Sequence, residues 1–255
     1  MSALPGTTGR RRIYLMRHGH VDYFSRLVLV ERKPDQVPLT PLGQEQARAA
    51  GEALAGVRFD LALCSGYPRT RETAEIVLTY NQDKEHLLLE HEPRLVEIKG
   101  GGQVFARSRE ELSARMAFEF DKAAEPGATM FGGDSFAAVQ ARSVEAIQDL
   151  LRRPDWHTAL VVAHEGVNRL LLSWATGAGL VGAARFEQDL ACVNILDFDL
   201  VPLEGGQEGT EIARIIIKMV NVTPYNFLKH GMNLTSLEAI FQLYDDERAA
   251  KDQAR

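Results

Sequence analysis

Cysteine is nearly missing from this sequence: Cys64 and Cys192 are the two in 255 residues. Each falls inside an apolar, strand-like run, where a small buried thiol is the common reading, so both are expected to be structural and reduced. Long apolar runs are missing too. The opening Met1–Arg12 carries Arg10, Arg11 and Arg12 but no apolar stretch long enough for a signal peptide before Arg17 and His18, and no later run could span a bilayer. No membrane partner is expected, and a cytoplasmic location follows by default. Positive charge is in short supply, with 29 Lys and Arg against 35 Asp and Glu and a net charge of −6. That argues against a nucleic-acid binder while leaving room for a local basic pocket. Internal repeats and low-complexity tracts are also absent.

What is present is ordinary for a soluble globular enzyme, 45% hydrophobic and 25% charged residues. The length suits one catalytic domain, taken as residues 1–220, followed by an extension, 221–255. In that extension Leu234–Ala249 has helical spacing and could pack on the core or pair subunits into a homodimer.

Residues 13–16 read as a short buried strand running into Arg17-His18-Gly19-His20, where Gly19 lets the chain turn. Thr40 before Pro41 starts a helix, as N-cap followed by a first-turn proline, and Leu42, Ala49, Ala50, Ala53 and Leu54 give it an apolar face up to about Ala55. Phe59–Cys64 reads as a strand, Arg69–Tyr80 as a helix and Leu87–Leu89 as a third strand. Gly100-Gly101-Gly102 reads as a flexible connection, since no helix opens directly after it. Ser108–Ala124 and Asp134–Arg152 have helical spacing, and Thr158–Ala163 is a strongly apolar strand leading into His164 and a helix over Val167–Ala175. Strands at Val193–Phe198 and Ile212–Met219 are separated by a hairpin turn near Gly205-Gly206. Strands alternating with helices predict an α/β three-layer sandwich, a mostly parallel central sheet with helices on both faces. Ligands in such sheets gather at the carboxyl ends of strands. Three strand ends carry polar residues: Arg17-His18, Ser65 to Arg69, and His164.

A phosphate ester presents a dianion, and guanidinium groups suit it because they stay charged and donate two hydrogen bonds in one plane. Arg17 and Arg69 are the candidates. His18, beside Arg17, could attack phosphorus as a neutral imidazole, and His164 could donate to the same oxygens. Glu97 is the acid available to protonate the leaving alkoxide. Taken singly, Arg69 would be a surface ion pair, His164 a structural histidine and Glu97 a solvated carboxylate; the combination carries the reading. Arg26, Arg32, Arg107 and Arg109 flank the expected crevice, where charged loop residues are usually just solvated.

These residues fall into blocks. Leu15-Met16-Arg17-His18-Gly19 resembles the Arg-His-Gly motif of the histidine phosphatase superfamily, also called the phosphoglycerate mutase-like family. Pro38–Gly43 with Gln46-Ala47, Cys64-Ser65 with Arg69-Thr70 and Thr73-Ala74, and Arg94–Ile98 resemble its next segments. Gly133–Phe136 with Arg142, and Val161–His164, resemble its last two. The resemblance implies a phosphoglycerate mutase-like fold and a phosphohistidine intermediate at His18. It also implies a phosphate pocket of Arg17, Arg69 and His164, proton donation by Glu97, and neither metal nor cofactor. The expected partner is a small phosphorylated substrate.

The chain departs from that pattern at His20 and Val21 after the glycine, at Asp22-Tyr23-Phe24, and at Glu165 after the second histidine. His20, Tyr23 and Glu165 are therefore the expected substrate contacts. The segment between Glu97 and His164 is shorter than the insertion of cofactor-dependent mutases, which favours a phosphatase with water as acceptor over a mutase-like phosphotransferase. Two rivals come from other classes. His18, His20 and Asp22 resemble part of the ligand motif of zinc hydrolases, because alternate residues of an extended segment point the same way. A non-catalytic module binding phosphorylated ligands is the other, although it would need neither nucleophile nor acid.

Overall fold

The first strand outruns its apolar core. In the computed structural model, which describes residues 9–81, 86–102, 109–203 and 209–239, β1 covers Gly9–Arg17, four residues more at its start than the apolar run predicts. Charge holds the extension. β1 lies antiparallel to β5 (Val193–Pro202) in a register that sets Arg10 opposite Asp199 and Arg12 opposite Asp197. Arg12 grips its buried carboxylate with two hydrogen bonds of 2.6 and 2.8 Å. Opposite charges facing one another across a strand pair stabilise the pairing. Arg11, on the other face, lies over the Trp156 ring at 5.2 Å.

The remaining strands are β2 (Leu61–Cys64), β3 (Leu89–His91), β4 (Thr158–Ala163) and β6 (Thr210–Val222), in the spatial order β3-β2-β4-β1-β5-β6. β1 to β4 are mutually parallel; β5 runs against β1, and β6 against β5. The sheet is thus mostly parallel, as expected. Its helices are α1 (Arg26–Leu29), α2 (Pro41–Leu54), α3 (Pro68–Thr79), α4 (Arg109–Ala117), α5 (Phe136–Arg152) and α6 (Glu165–Ala175).

Alternation along the central strands makes the three layers. Tyr14, Met16, Leu160 and Val162 pack with Ala50 and Leu54 of α2 and Ala74, Val77 and Leu78 of α3. Ile13, Leu15, Val161 and Ala163 face the other way, against Ile147 and Leu150 of α5 and Val167 and Leu170 of α6. Both faces of β1 and β4 are therefore dry, which is why these strands read as unbroken apolar runs.

Thr40 caps α2 as predicted, its Oγ1 accepting from Gly43 N at 3.2 Å with Pro41 in the first turn. The helix expected over 108–124 is instead α4 followed by a 3-10 turn at Glu119–Lys122, and Ser108 lies outside the described residues. α6 opens at Glu165, two residues before Val167, because His164 takes the N-cap position. The stretch from Lys99 to Gly101 is fixed against its neighbour. Asp134 N donates to Lys99 O at 2.8 Å, and the backbones of Gly101 and Gly133 meet so closely that a Cβ on Gly101 would lie 2.2 Å from Gly132. Those glycines serve close approach. Gly205-Gly206 and residues 240–255 lie outside the described residues, while Leu237 packs against the core.

Candidate active site

β2, β4 and β1 are adjacent and parallel, with Cys64 level with Val162 and Arg17 level with Ala163, so the residues that follow them emerge at one edge. Arg17, His18, Arg69 and His164 are all buried there. His18 Nδ1 lies 2.7 Å from the Gly19 carbonyl oxygen. A carbonyl only accepts, so Nδ1 carries the ring proton and Nε2 presents its lone pair, which Arg69 Nε approaches at 3.2 Å. Burial, then the charges of Arg69 and Arg17, hold the imidazole well below its ordinary pKa and keep it neutral at pH 7. Thr73 accepts from Gly19 N at 3.1 Å and donates to Arg69 O at 2.7 Å, tying the loop after β1 to α3.

The His164 ring stands 5.2 Å from that of His18. Its proton can be traced through hydroxyls. Thr70 Oγ1 donates to Tyr67 O at 2.9 Å and must therefore accept from Ser65 Oγ at 2.9 Å. Ser65 in turn accepts from His164 Nε2 at 2.8 Å. His164 Nδ1 is left buried without a hydrogen-bond partner among the described residues, and so is Arg17 Nε. The rest of the Arg17 guanidinium is engaged, Nη1 with Gln188 O and Nη2 with Glu165 Oε2 at 3.0 Å. Burial, followed by Arg69, His18 and Arg17, lowers the His164 pKa as well.

Glu97 reaches the site from a short segment after a 3-10 turn at Pro93–Leu95. Its Oε1 accepts from Ile98 N at 2.9 Å and its Oε2 from Gly166 N at 3.3 Å, while Arg142 Nη2 holds Val96 O from behind at 2.7 Å. Burial raises its pKa despite the Ile98 N–H, and the neighbouring Glu165 adds to the rise. Burial thus favours the protonated form of this carboxyl over the charged one.

A cavity opens beside these residues, lined by Arg17, Arg69 and Glu97; of the three expected substrate contacts Tyr23 and Glu165 line it and His20, like His18 and His164, does not. His20 Nδ1 lies 2.8 Å from Thr40 Oγ1, and its backbone N–H donates to Gln46. Glu165 is 4% exposed, held between Arg17 and Arg169, and accepts from Ser236 Oγ at 2.8 Å. Two guanidiniums thus balance its charge. His18, His20 and Asp22 have separate partners, Asp22 Oδ1 accepting from Phe24 N. No group of three His, Cys, Asp or Glu among the described residues could hold a metal. Arg26 and Arg32 are exposed and neither lines the cavity; Arg107 and the Arg109 side chain lie outside the described residues.

Sequence reasoning quoted Ser65 and Thr70 in the Cys64 to Ala74 block but gave them no role, and it missed Gly166. A Cβ there would lie 2.7 Å from Glu97 Oε1. Gln188 and Ser236 carried no local signal.

The histidine phosphatase superfamily, branch 1, matches residues 13–201. The chain belongs to this family. This histidine phosphatase is 30% identical over 190 residues to the adenosylcobalamin/alpha-ribazole phosphatase of Escherichia coli K12, a match covering 74% of this chain and 90% of that one. It is 42% identical over 69 residues, 26% of this chain and 31% of the other, to the 2,3-bisphosphoglycerate-dependent phosphoglycerate mutase of Rhizobium meliloti. Among solved structures, a mycobacterial glucosyl-3-phosphoglycerate phosphatase superposes with a TM-score of 0.62 at 23% identity, covering 84% of this chain and 99% of that one. That last likeness is one of fold. No helix among the described residues is long and apolar enough to cross a membrane.

Proposed function

We propose that this histidine phosphatase hydrolyses small phosphomonoesters, with His18 as nucleophile, Arg17, Arg69 and His164 as the phosphate pocket and Glu97 as proton donor. One observation carries the reading. A neutral imidazole whose Nε2 lone pair faces Arg69 Nε stands beside Arg17 Nε, a buried donor without a partner among the described residues; buried donors are ordinarily paired, so this is where a phosphoryl oxygen belongs, and His164 Nδ1, a bare lone pair in the neutral ring, joins the pocket by taking up a proton as the dianion binds. His18 Nε2 attacks phosphorus, the P–O bond to the alcohol breaks, and the departing alkoxide takes the Glu97 proton. A water then gives its proton to the Glu97 carboxylate and attacks the phosphohistidine, breaking the P–N bond and releasing phosphate. No step calls for a metal or a bound cofactor.

The protein is read as cytoplasmic, with residues 1–220 as the catalytic domain and 221–255 as an extension packed on it or at a subunit interface. The mutase-like alternative draws on the 69-residue match and differs only in the acceptor, an alcohol in place of water. Hydrolysis of an aryl phosphate by wild type and His18→Ala, with and without a chelator, tests the proposal. A loss of about 10³-fold or more is expected for the variant, with the chelator leaving wild type unchanged. Turnover by His18→Ala, or loss of wild-type activity on chelation, would refute it.

A further inference from the structure

The cavity onto which Arg17, Arg69 and Glu97 open measures about 660 Å³, room for far more than a phosphoryl group. Its walls beyond the pocket are hydrocarbon and aromatic, with Phe24, Tyr67, Met116, Phe120 and Met130 among them. The charged groups are unevenly placed. Arg17 and Arg69 serve the phosphoryl end, and Arg17 is already paired with Glu165. Among the described lining residues the one other cation is the exposed Lys99, and Asp35, Glu97 and Glu165 line the space as well. With Glu97 protonated and Glu165 balanced by Arg17 and Arg169, a second phosphate or carboxylate would meet Asp35, a single lysine and apolar wall among the described residues rather than paired guanidiniums.

Phe131 points to the same conclusion from the backbone. It lines the cavity with φ of 48°, a left-handed conformation that is an outlier for a bulky aromatic residue. The fold holds it there. Phe131 N donates at 2.9 Å to Oε1 of Glu119, a carboxylate only 5% exposed. Gly133 N closes the turn onto Met130 O at 2.8 Å, and the backbone of Gly101 packs against Gly132. Glu119, whose other oxygen pairs with Lys122 at 3.3 Å, thus spends one carboxylate oxygen on a strained N–H, and backbone strain of this kind collects at ligand clamps.

We infer that the substrate is a monophosphate ester of an apolar alcohol, with one phosphate and no other anionic group, and that Phe131 is a specificity-determining residue that packs on its hydrocarbon body. The inference rests on the phosphatase reading above. The test compares kcat/KM for naphthyl phosphate, phenyl phosphate, glycerol phosphate and phosphoglycerate, in wild type and in Phe131→Gly. Naphthyl and phenyl esters share their chemistry and differ in apolar size. Wild type is expected to prefer naphthyl over phenyl by about 10–100-fold, since each buried CH₂-sized increment favours binding, and to disfavour both polar esters. Glycine accepts the left-handed backbone without strain, so Phe131→Gly should fold at least as well, checked by its thermal midpoint. Its naphthyl preference should fall below about threefold. Equal wild-type turnover of naphthyl and phenyl esters, faster turnover of phosphoglycerate, or a full preference in Phe131→Gly overturns the inference while leaving the phosphatase reading intact. Failure to hydrolyse any of the four esters overturns both.

Discussion

Gly166→Ala tests whether Glu97 is an acid held by its neighbours. The added methyl would lie 2.6 Å from Ile98 Cγ2, 2.7 Å from Glu97 Oε1 and 3.3 Å from Phe120 Cζ, inside contact distance for all three. Crowding a packed site costs about 1–3 kcal/mol, and alanine returns about 1 kcal/mol in a helix. The net loss is about 0–2 kcal/mol, and at about 2–4 °C per kcal/mol for a chain of this size the thermal midpoint should drop by no more than about 8 °C. The variant therefore stays folded, but the methyl pushes the carboxyl off the Gly166 N–H that it now accepts from at 3.3 Å. The assay is kcat/KM for two esters, an alkyl phosphate whose leaving group needs a proton and dinitrophenyl phosphate, whose leaving group does not. General acid catalysis is worth about 10²–10⁴-fold, and partial displacement should cost the alkyl ester about 10–100-fold while dinitrophenyl phosphate loses less than about threefold. Equal losses for both esters, or none for either, would refute the role given to Glu97.

Three further outcomes follow from the same structure. The kcat/KM of the alkyl ester should trace a bell with pH, falling on the acid side as His18 takes a proton near its lowered pKa, and on the alkaline side as Glu97 loses one past its raised value; the dinitrophenyl ester should keep the acid limb and lose the alkaline one. Because the folded state holds His164 neutral below its ordinary value of 6.5, its contribution to stability is complete above that pH and is lost as pH falls below it. His164→Gln should make denaturant-derived stability less steep between pH 6.5 and the lowered value, by up to about 1.4 kcal/mol per pH unit; an unchanged slope would contradict this. Finally, Asp197 is buried while Arg12 is partly exposed. Arg12→Ala strands a buried carboxylate and should cost about 3 kcal/mol, whereas Asp197→Ala leaves a cation that water can reach and should cost about 1 kcal/mol. Urea denaturation showing the reverse order would refute that asymmetry.

The parallel sheet was legible because β1 and β4 are dry on both faces and so read as continuous apolar runs. The four central side chains were legible because polar residues stand directly after those strands and after β2. Other features needed the third dimension. Gly19 looked like a turn residue, but a Cβ there would sit 2.4 Å from Gly43 O, and one on Gly43 would sit 2.2 Å from His20 O. The two glycines let the loop after β1 lie backbone to backbone on the start of α2, a reason that neither segment reveals alone. The start of β1 was hidden in the same way, since Arg10 and Arg12 become strand residues only when Asp199 and Asp197 stand opposite. Glu165 was read only as a substrate contact. Its balance depends on Arg169 one helical turn on and on Ser236, 71 residues away, and no local pattern encodes that meeting.

The central claim is covalent chemistry on His18, and the most direct measurement is acid-quenched trapping of the enzyme during turnover of a radiolabelled phosphomonoester, followed by peptide mapping. Label that survives base, is released by acid, maps to the peptide containing His18 and is missing from His18→Ala is the predicted result. Turnover with no trapped label, or label that is stable to acid or located on another residue, would contradict the account.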